Sequence, residues 1–192
     1  MPRYQEFNTQ EALGKALQVF WSKGYKGASL SDLLDEMGIG KGSFYATFGS
    51  KRELFLSALK RYGEKQAMVC QAADILASRP ARTAIAGFFE KVIDRAVDDK
   101  RCCMFGKTAL EFWQSDREIA DATSEGVKQV EKAFLQAVTR GQNDGDISAK
   151  HNPEAIAQFL TSTYYGLQVM ASANPDRKAL KNVVSTALVV LD

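Results

Sequence analysis

Apolar residues return along this chain at intervals of three and four almost from end to end, and no convincing strand-like alternation interrupts them. The pattern predicts an all-α protein. Ala12, Leu13, Ala16, Leu17, Phe20 and Trp21 form the first stripe, behind an Asn8-x-x-Glu11 start and ahead of a stop at Gly24. Leu30, Leu33, Leu34 and Met37 form a shorter second stripe, with Ser29 as its N-cap and Asp32 three residues on. A third helix is predicted over Lys41–Phe48, where Phe44 and Phe48 share an inward face. Ser50-Lys51-Arg52-Glu53 reads as a Ser-x-x-Glu capping box. It opens a fourth helix carrying Leu54, Phe55, Ala58, Leu59 and Tyr62.

Arg79-Pro80 breaks the pattern, and a fifth helix follows with Ile85, Phe88, Phe89, Val92 and Ile93. After a polar Asp98-Asp99-Lys100-Arg101 loop, the apolar segment from Cys103 to Trp113 reads as a sixth. A long seventh is expected over about Glu118 to Arg140, ended by Gly141 and an Asn143-Asp144-Gly145-Asp146 turn. Asn152 caps an eighth, with Pro153 at its first position. Asn174-Pro175 separates it from a ninth through Leu180, Val184, Leu188 and Leu191. The last two helices read as apolar over much of their circumference, a pattern that marks a partner surface. Such an antiparallel pair, doubled by a two-fold axis, makes a four-helix bundle, so the chain is expected to form a homodimer there.

The second and third helices flank Gly38-Ile39-Gly40, which is the layout of a helix-turn-helix. The third is short and carries small, polar and aromatic residues, as a helix entering the major groove does. Charge changes this picture only slightly. Residues 1–65 carry a net +3 and the remainder −1, a basic head on a near-neutral body. Composition adds exclusions. At 45% hydrophobic and 25% charged residues, the chain is of a folded rather than a disordered kind. No apolar run approaches the ~20 residues of a membrane span. MPRYQEFNTQ does not read as a signal peptide, and Cys70, Cys102 and Cys103 make no disulfide framework, so a cytoplasmic address is expected. One histidine, His151 in a polar loop, gives no zinc-ligand spacing and little scope for general-base chemistry. With no GxSxG and no phosphate loop, an enzyme is disfavoured, and no cofactor or metal is expected. A helical interaction protein that does not touch DNA is the other rival.

Gly24-Tyr25, Ser29, Met37-Gly38-Ile39, Lys41-Gly42-Ser43-Phe44-Tyr45, Phe48, Ser50-Lys51 and Leu54-Phe55 together resemble the head signature of the TetR family of bacterial transcriptional regulators. Beyond the head the resemblance is one of layout. Arg101-Cys102 through Glu111 is similar to a Gly-Cys-Leu…Glu segment of one branch, with Cys102 where that branch has glycine. The resemblance implies a nine-helix architecture. A DNA-binding head at 1–50 would join a ligand-binding and dimerisation domain at 51–192, with a helix at 51–75 connecting them. It also implies a homodimer on a palindromic operator, most often as a repressor released by a small molecule.

Within that frame Ser29 and Tyr45 are expected on phosphates, and Lys51 in a phosphate clamp at the amino end of the fourth helix. Lys41, Ser43 and Thr47 are expected on bases or backbone, Gly42 where backbone approaches the groove, and Ala46 against a thymine methyl. Leu33, Ile39, Phe44 and Phe48 are core. The inducer pocket that the family implies is expected to be lined by Phe89, Met104, Phe105, Phe112, Trp113, Phe134 and Tyr165 and to take an apolar or aromatic ligand. Each of these also reads individually as ordinary core. Glu111, among apolar neighbours, is expected to pair with an arginine or with a cationic ligand. Cys102 and Cys103 follow Lys100 and Arg101, which favour a thiolate, so a thiol sensor of electrophiles or oxidants is the alternative.

Overall fold

Among the described residues of this chain, six helices begin where side-chain oxygens meet backbone N–H groups that a helix cannot satisfy itself, while the helix behind Gly40 starts without such a cap. The computed structural model describes residues 7–65, 76–77, 80–98, 102–112 and 115–192. Among them are nine α-helices, a closing 3-10 turn and no strand. The polar loop at 99–101, Trp113, Cys70 and residues 66–75 of the expected connecting helix lie outside the described residues.

Asn8 opens α1 (Thr9–Gly27) by accepting from the N–H groups of Gln10 and Glu11 at 3.0 and 3.2 Å. The Glu11 carboxylate turns to Lys15 rather than back to the cap. Ser29 opens α2 (Leu30–Met37) with a full reciprocal box. Its Oγ accepts from Asp32 N–H at 3.0 Å, and the Asp32 carboxylate accepts from Ser29 N–H at 2.9 Å. Gly38 ends α2 at φ 69°, a left-handed conformation that costs a side chain about 1–2 kcal/mol. It turns the chain into α3 (Lys41–Phe48). At Ser50 the expected box is only half made. Its Oγ accepts from Glu53 N–H at 3.1 Å, but its own N–H bonds to the Phe48 carbonyl, and the Glu53 carboxylate lies over Gly49. Behind it runs α4 (Lys51–Lys65).

The body consists of α5 (Ala81–Asp98), α6 (Met104–Phe112), α7 (Arg117–Asn143), α8 (Pro153–Ala173) and α9 (Arg177–Ala187). Asp116, Asn152 and Asp176 cap α7, α8 and α9. The chain closes in a 3-10 turn, Leu188–Leu191, where the expected ninth helix tightens. Four large body residues, Phe88, Phe89, Phe134 and Tyr164, are fully buried where α5, α7 and α8 meet.

Head and body share one core. The rings of Tyr25, Phe55 and Phe112 stand 5.0 to 5.7 Å apart, joining the end of α1, the start of α4 and the end of α6. Phe20 adds an edge-on contact to Phe55 at 4.9 Å. Such pairs contribute about 0.5–1.5 kcal/mol each beyond their buried area.

The last two helices differ from each other, which their apolar content did not suggest. On α8, Phe159, Val169 and Met170 are exposed beside Ser162 and Gly166, so an apolar face is left open. By contrast α9 turns Leu180, Val184 and Ala187 inward and presents Lys178, Lys181, Asn182, Ser185 and Thr186 to solvent. Arg177 ties it to Asp94 and Asp98 on α5, and Lys181 ties it to Glu90.

Candidate functional site

The reading helix follows from its own sequence. Phe44 is completely buried and Phe48 half-buried, which fixes the rotation of α3. Lys41, Gly42, Tyr45 and Ala46 fall on the opposite side, at one-and-four spacing, and all are exposed. Thr47 is exposed and Ser43 half-buried at the edges of that face. The Tyr45 ring stands edge-on to Phe44 at 5.2 Å and remains exposed. Ser29 is exposed at the start of α2, where its Oγ accepts from Asp32 N–H. Asp32 brings a negative charge to the same terminus. Lys23 bonds it at 2.6 Å, and that contact together with the Ser29 donors holds its carboxyl down at about 2.

Lys51, expected in a phosphate clamp, rests against an aromatic ring. Its Nζ lies 4.4 Å from the centroid of the Tyr25 ring, at the head–body junction. Partial burial pulls its pKa down, and the nearby Glu111 charge opposes that.

Glu111 accounts for the junction's second, polar part. At Gly24 (φ 75°, ψ 175°) α1 leaves helical geometry before finishing its last turn. The kink strands carbonyls before it and N–H groups after it. Two residues of α6, one turn apart, satisfy them. The Lys107 ammonium donates to the carbonyls of Ser22 and Trp21 at 2.9 and 3.4 Å. The Glu111 carboxylate accepts from the N–H groups of Lys26 and Tyr25 at 2.6 and 3.1 Å. A side chain at Gly24 is strained by its φ and would meet Glu111 Oε2 at 3.2 Å. Thus Glu111 holds backbone, not an arginine or a ligand cation.

Beside this clasp opens a groove of about 1340 Å3, walled by α1, the loop into α6, α6 itself, α7 and α8. Trp21, Leu110, Val127, Tyr165 and Val169 give it apolar sides. The Trp21 indole donates to the Cys102 carbonyl at 2.6 Å, so the groove's edge is pinned to α1. Cys102 faces the groove half-buried, with its Sγ against Ser172 Oγ and the Gln168 carbonyl. Cys103 is buried, its Sγ accepting from the Tyr62 hydroxyl at 3.6 Å and its N–H donating to Gln168 Oε1 at 3.0 Å. Burial, with Cys103 close by, pushes the Tyr62, Tyr164 and Tyr165 phenols well above their ordinary range.

The chain that carries this exposed α3 face and body groove is similar to known proteins along its whole length. Residues 12–58 match the model of the bacterial regulatory proteins of the tetR family, and residues 81–187 match the tetracyclin repressor-like C-terminal domain. The chain belongs to the TetR family. It is a DNA-binding transcription regulator. The HTH-type transcriptional regulator YezE of Bacillus subtilis is 34% identical over the whole of both chains. The HTH-type transcriptional repressor ComR of Escherichia coli is 24% identical over 97% of this chain and 90% of its own. Among solved structures, a cysteine-substituted mutant of the TetR family regulator CifR, bound to a 26-base-pair operator, is 33% identical with a TM-score of 0.87. It covers 99% of this chain and 100% of its own.

In this TetR member five of the residues expected to line a pocket lie in the core or at the head–body junction, away from this groove. Of the six described residues among those expected, Tyr165 lines the groove. Phe89 and Phe134 stack on each other at 5.7 Å inside the body core. Phe105 packs on Tyr62 and fills the space a side chain at Gly126 would need. Phe112 belongs to the junction, Met104 is buried, and Trp113 lies outside the described residues. Large apolar residues at helical spacing are drawn into core because burying them there removes the most surface from water. Gln18, Ser22, Lys107 and Gln168, which do line the groove, are polar residues that a search for apolar lining passes over.

Proposed function

We propose that this chain is a homodimeric repressor, working in the cytoplasm without catalysis of its own, that leaves a palindromic operator when a small molecule fills its body. The observation that carries it is the exposed Lys41-Gly42/Tyr45-Ala46 face of α3, held outward by the buried Phe44. In this reading residues 1–50 are the head and residues 51–192 the sensing and dimerising body, with α4 between them. Ser29, Tyr45 and Lys51 take phosphates, Lys41, Ser43 and Thr47 take base edges or backbone, and Gly42 lets the backbone approach. The dimer forms through the open α8 face at Phe159 and Met170, with α9 beside it. Two reading helices then enter successive major grooves about 34–36 Å apart.

Selection of bound DNA from a random pool, followed by mobility shifts on the winner, tests this. The expected winner is a palindrome bound by two chains, and Ser43→Ala changes the preferred bases. A protein that selects no sequence from the pool overturns the reading. One observation favours a second way of triggering release: the half-buried Cys102 thiol faces the groove. An electrophile would then act by alkylating Cys102, and operator release that persists in Cys102→Ser and in the double Cys102→Ser/Cys103→Ser variant removes that reading.

A further inference from the structure

The groove carries one charged side chain among its described lining residues, Lys107. Its other polar groups are neutral: Gln18, Ser22, Gln168, Ser172 and the thiols. The nearest carboxylate on the same helix, Glu111, has both oxygens engaged by the backbone of Tyr25 and Lys26. A second cation, Arg95, stands 5.9 Å from the centroid of the Trp21 ring that forms the groove wall. The groove therefore combines an apolar trough with the Lys107 ammonium at one end, beside a Glu111 carboxylate whose oxygens are already engaged.

We infer that the groove takes an amphipathic monoanion, a small carboxylate with an apolar body, and that Lys107 is its anchor. This rests on the ligand-responsive reading above and names the ligand class for it. The apolar body lies along Trp21, Leu110, Val127 and Val169, where burial supplies most of the affinity. The carboxylate meets the Lys107 ammonium. That ammonium has three N–H donors, and two of them go to neutral carbonyls, one at 3.4 Å. A charged acceptor forms a hydrogen bond roughly twice as strong as a neutral one. The ligand thus draws Lys107 away from the carbonyls of Trp21 and Ser22, and the end of α1 loses one half of its clasp. Because α1 leads directly into the helix-turn-helix, ligand binding and head position are linked through one side chain. A ligand shifts the head only by its preference for one arrangement, and Lys107 supplies that preference.

The test uses the full-length protein and three probes of one skeleton: 4-phenylbutyrate, 4-phenylbutanol and 4-phenylbutylamine. Calorimetry without DNA measures binding, and mobility shifts measure operator release. Wild type is expected to bind the carboxylate at least about tenfold more tightly than the alcohol, a margin of about 1.4 kcal/mol, and the amine more weakly still. Lys107→Met should erase the carboxylate's advantage while keeping alcohol binding, and Lys107→Arg should keep it. Operator affinity should fall with the carboxylate in wild type, and Lys107→Met, which lacks the same half of the clasp, should bind operator weakly with or without the carboxylate. Equal binding of carboxylate and alcohol, no binding of any probe, or an unchanged ratio in Lys107→Met overturns the inference. Failure of the ligand-free protein to bind a selected operator would instead overturn the regulatory reading, and the carboxylate preference measured on the free protein would still stand.

Discussion

The head meets the body through two junctions a few residues apart, and they are built from opposite chemistry. One is apolar: Tyr25, Phe55 and Phe112, ring against ring. The other is polar: Lys107 and Glu111 on the broken end of α1, with Arg52 reaching Asp116 and Glu118 at the start of α7. Apolar contact is non-directional and holds head and body together. Directional bonds of a charged side chain to a fixed backbone specify one position of the head, and a small displacement breaks them. A regulator needs both: cohesion that survives the switch, and a position that does not.

The largest effect should come from breaking the apolar junction. Phe55 is 1% exposed, and Phe55→Ala should lower global stability by about 3–5 kcal/mol in urea denaturation. Operator binding should fall with the folded fraction, not separately from it. A Phe55→Ala protein that is fully folded yet unable to bind the operator would break the comparison, because the apolar junction would then be setting position.

Glu111→Ala should act in the opposite manner. It leaves the N–H groups of Tyr25 and Lys26 without their charged acceptor, a loss of about 1–3 kcal/mol concentrated at the end of α1. Amide exchange at those two residues should speed up at least about tenfold while the exchange of core amides in α7 and α8 stays close to wild type. Equal acceleration throughout the protein would show that Glu111 supports the whole fold and not a position of the head.

How far the sequence reveals these features depends on whether they are local. The reading face of α3 is legible because Phe44 and Phe48, four residues apart, declare which side is inward, and everything else on that helix follows from the helical repeat. The caps at Asn8, Ser29, Asn152 and the left-handed Gly38 are legible for the same reason. The groove is not. Its walls come from residues as distant as Trp21, Lys107, Val127 and Val169, each of an ordinary type, and no spacing ties them together. Phe89 and Phe134 stand out in the sequence for being large and apolar, which is also why they end in the core. The role of Glu111 needs one step more than its apolar neighbours supply. A glycine that breaks α1 at Gly24 strands N–H groups, and a stranded donor predicts an acceptor somewhere in the chain.

Lys51 lies between the two junctions and sharpens the contrast. Its ammonium rests on Tyr25 in the free protein, yet its place at the amino end of α4 suits a phosphate. If it transfers to phosphate on binding, Lys51→Ala should weaken operator and random DNA alike. The slope of log affinity against log salt should also become shallower by about 0.9 for each phosphate left without its lysine. An unchanged slope would assign Lys51 to the Tyr25 ring alone.

The smallest effect belongs to the half-buried pair of Arg52 with Asp116. The guanidinium donates to both Asp116 oxygens, at 2.6 and 2.9 Å, and this contact leads the causes that hold the Asp116 carboxyl down from 3.8 to about 2. A depressed folded pKa makes the tie fully effective above the ordinary carboxylate pKa of about 4 and weakens it as pH falls toward about 2. Its contribution therefore does not vary near neutral pH and cannot serve as a physiological pH switch. Asp32 provides an internal reference, because Lys23 and Ser29 hold its carboxyl at about 2 in the head with no part played by Arg52. In Arg52→Gln, NMR titration of side-chain carboxyl carbons should show Asp116 moving up toward 3.8 while Asp32 stays where it was. The move should stop short of the full return, because the backbone N–H of Ile119 still donates to Asp116 as the cap of α7. If both carboxyls moved together, the Arg52 tie would be supporting the head's internal structure, and the line between the cohesive junction and the positioning one would have to be redrawn.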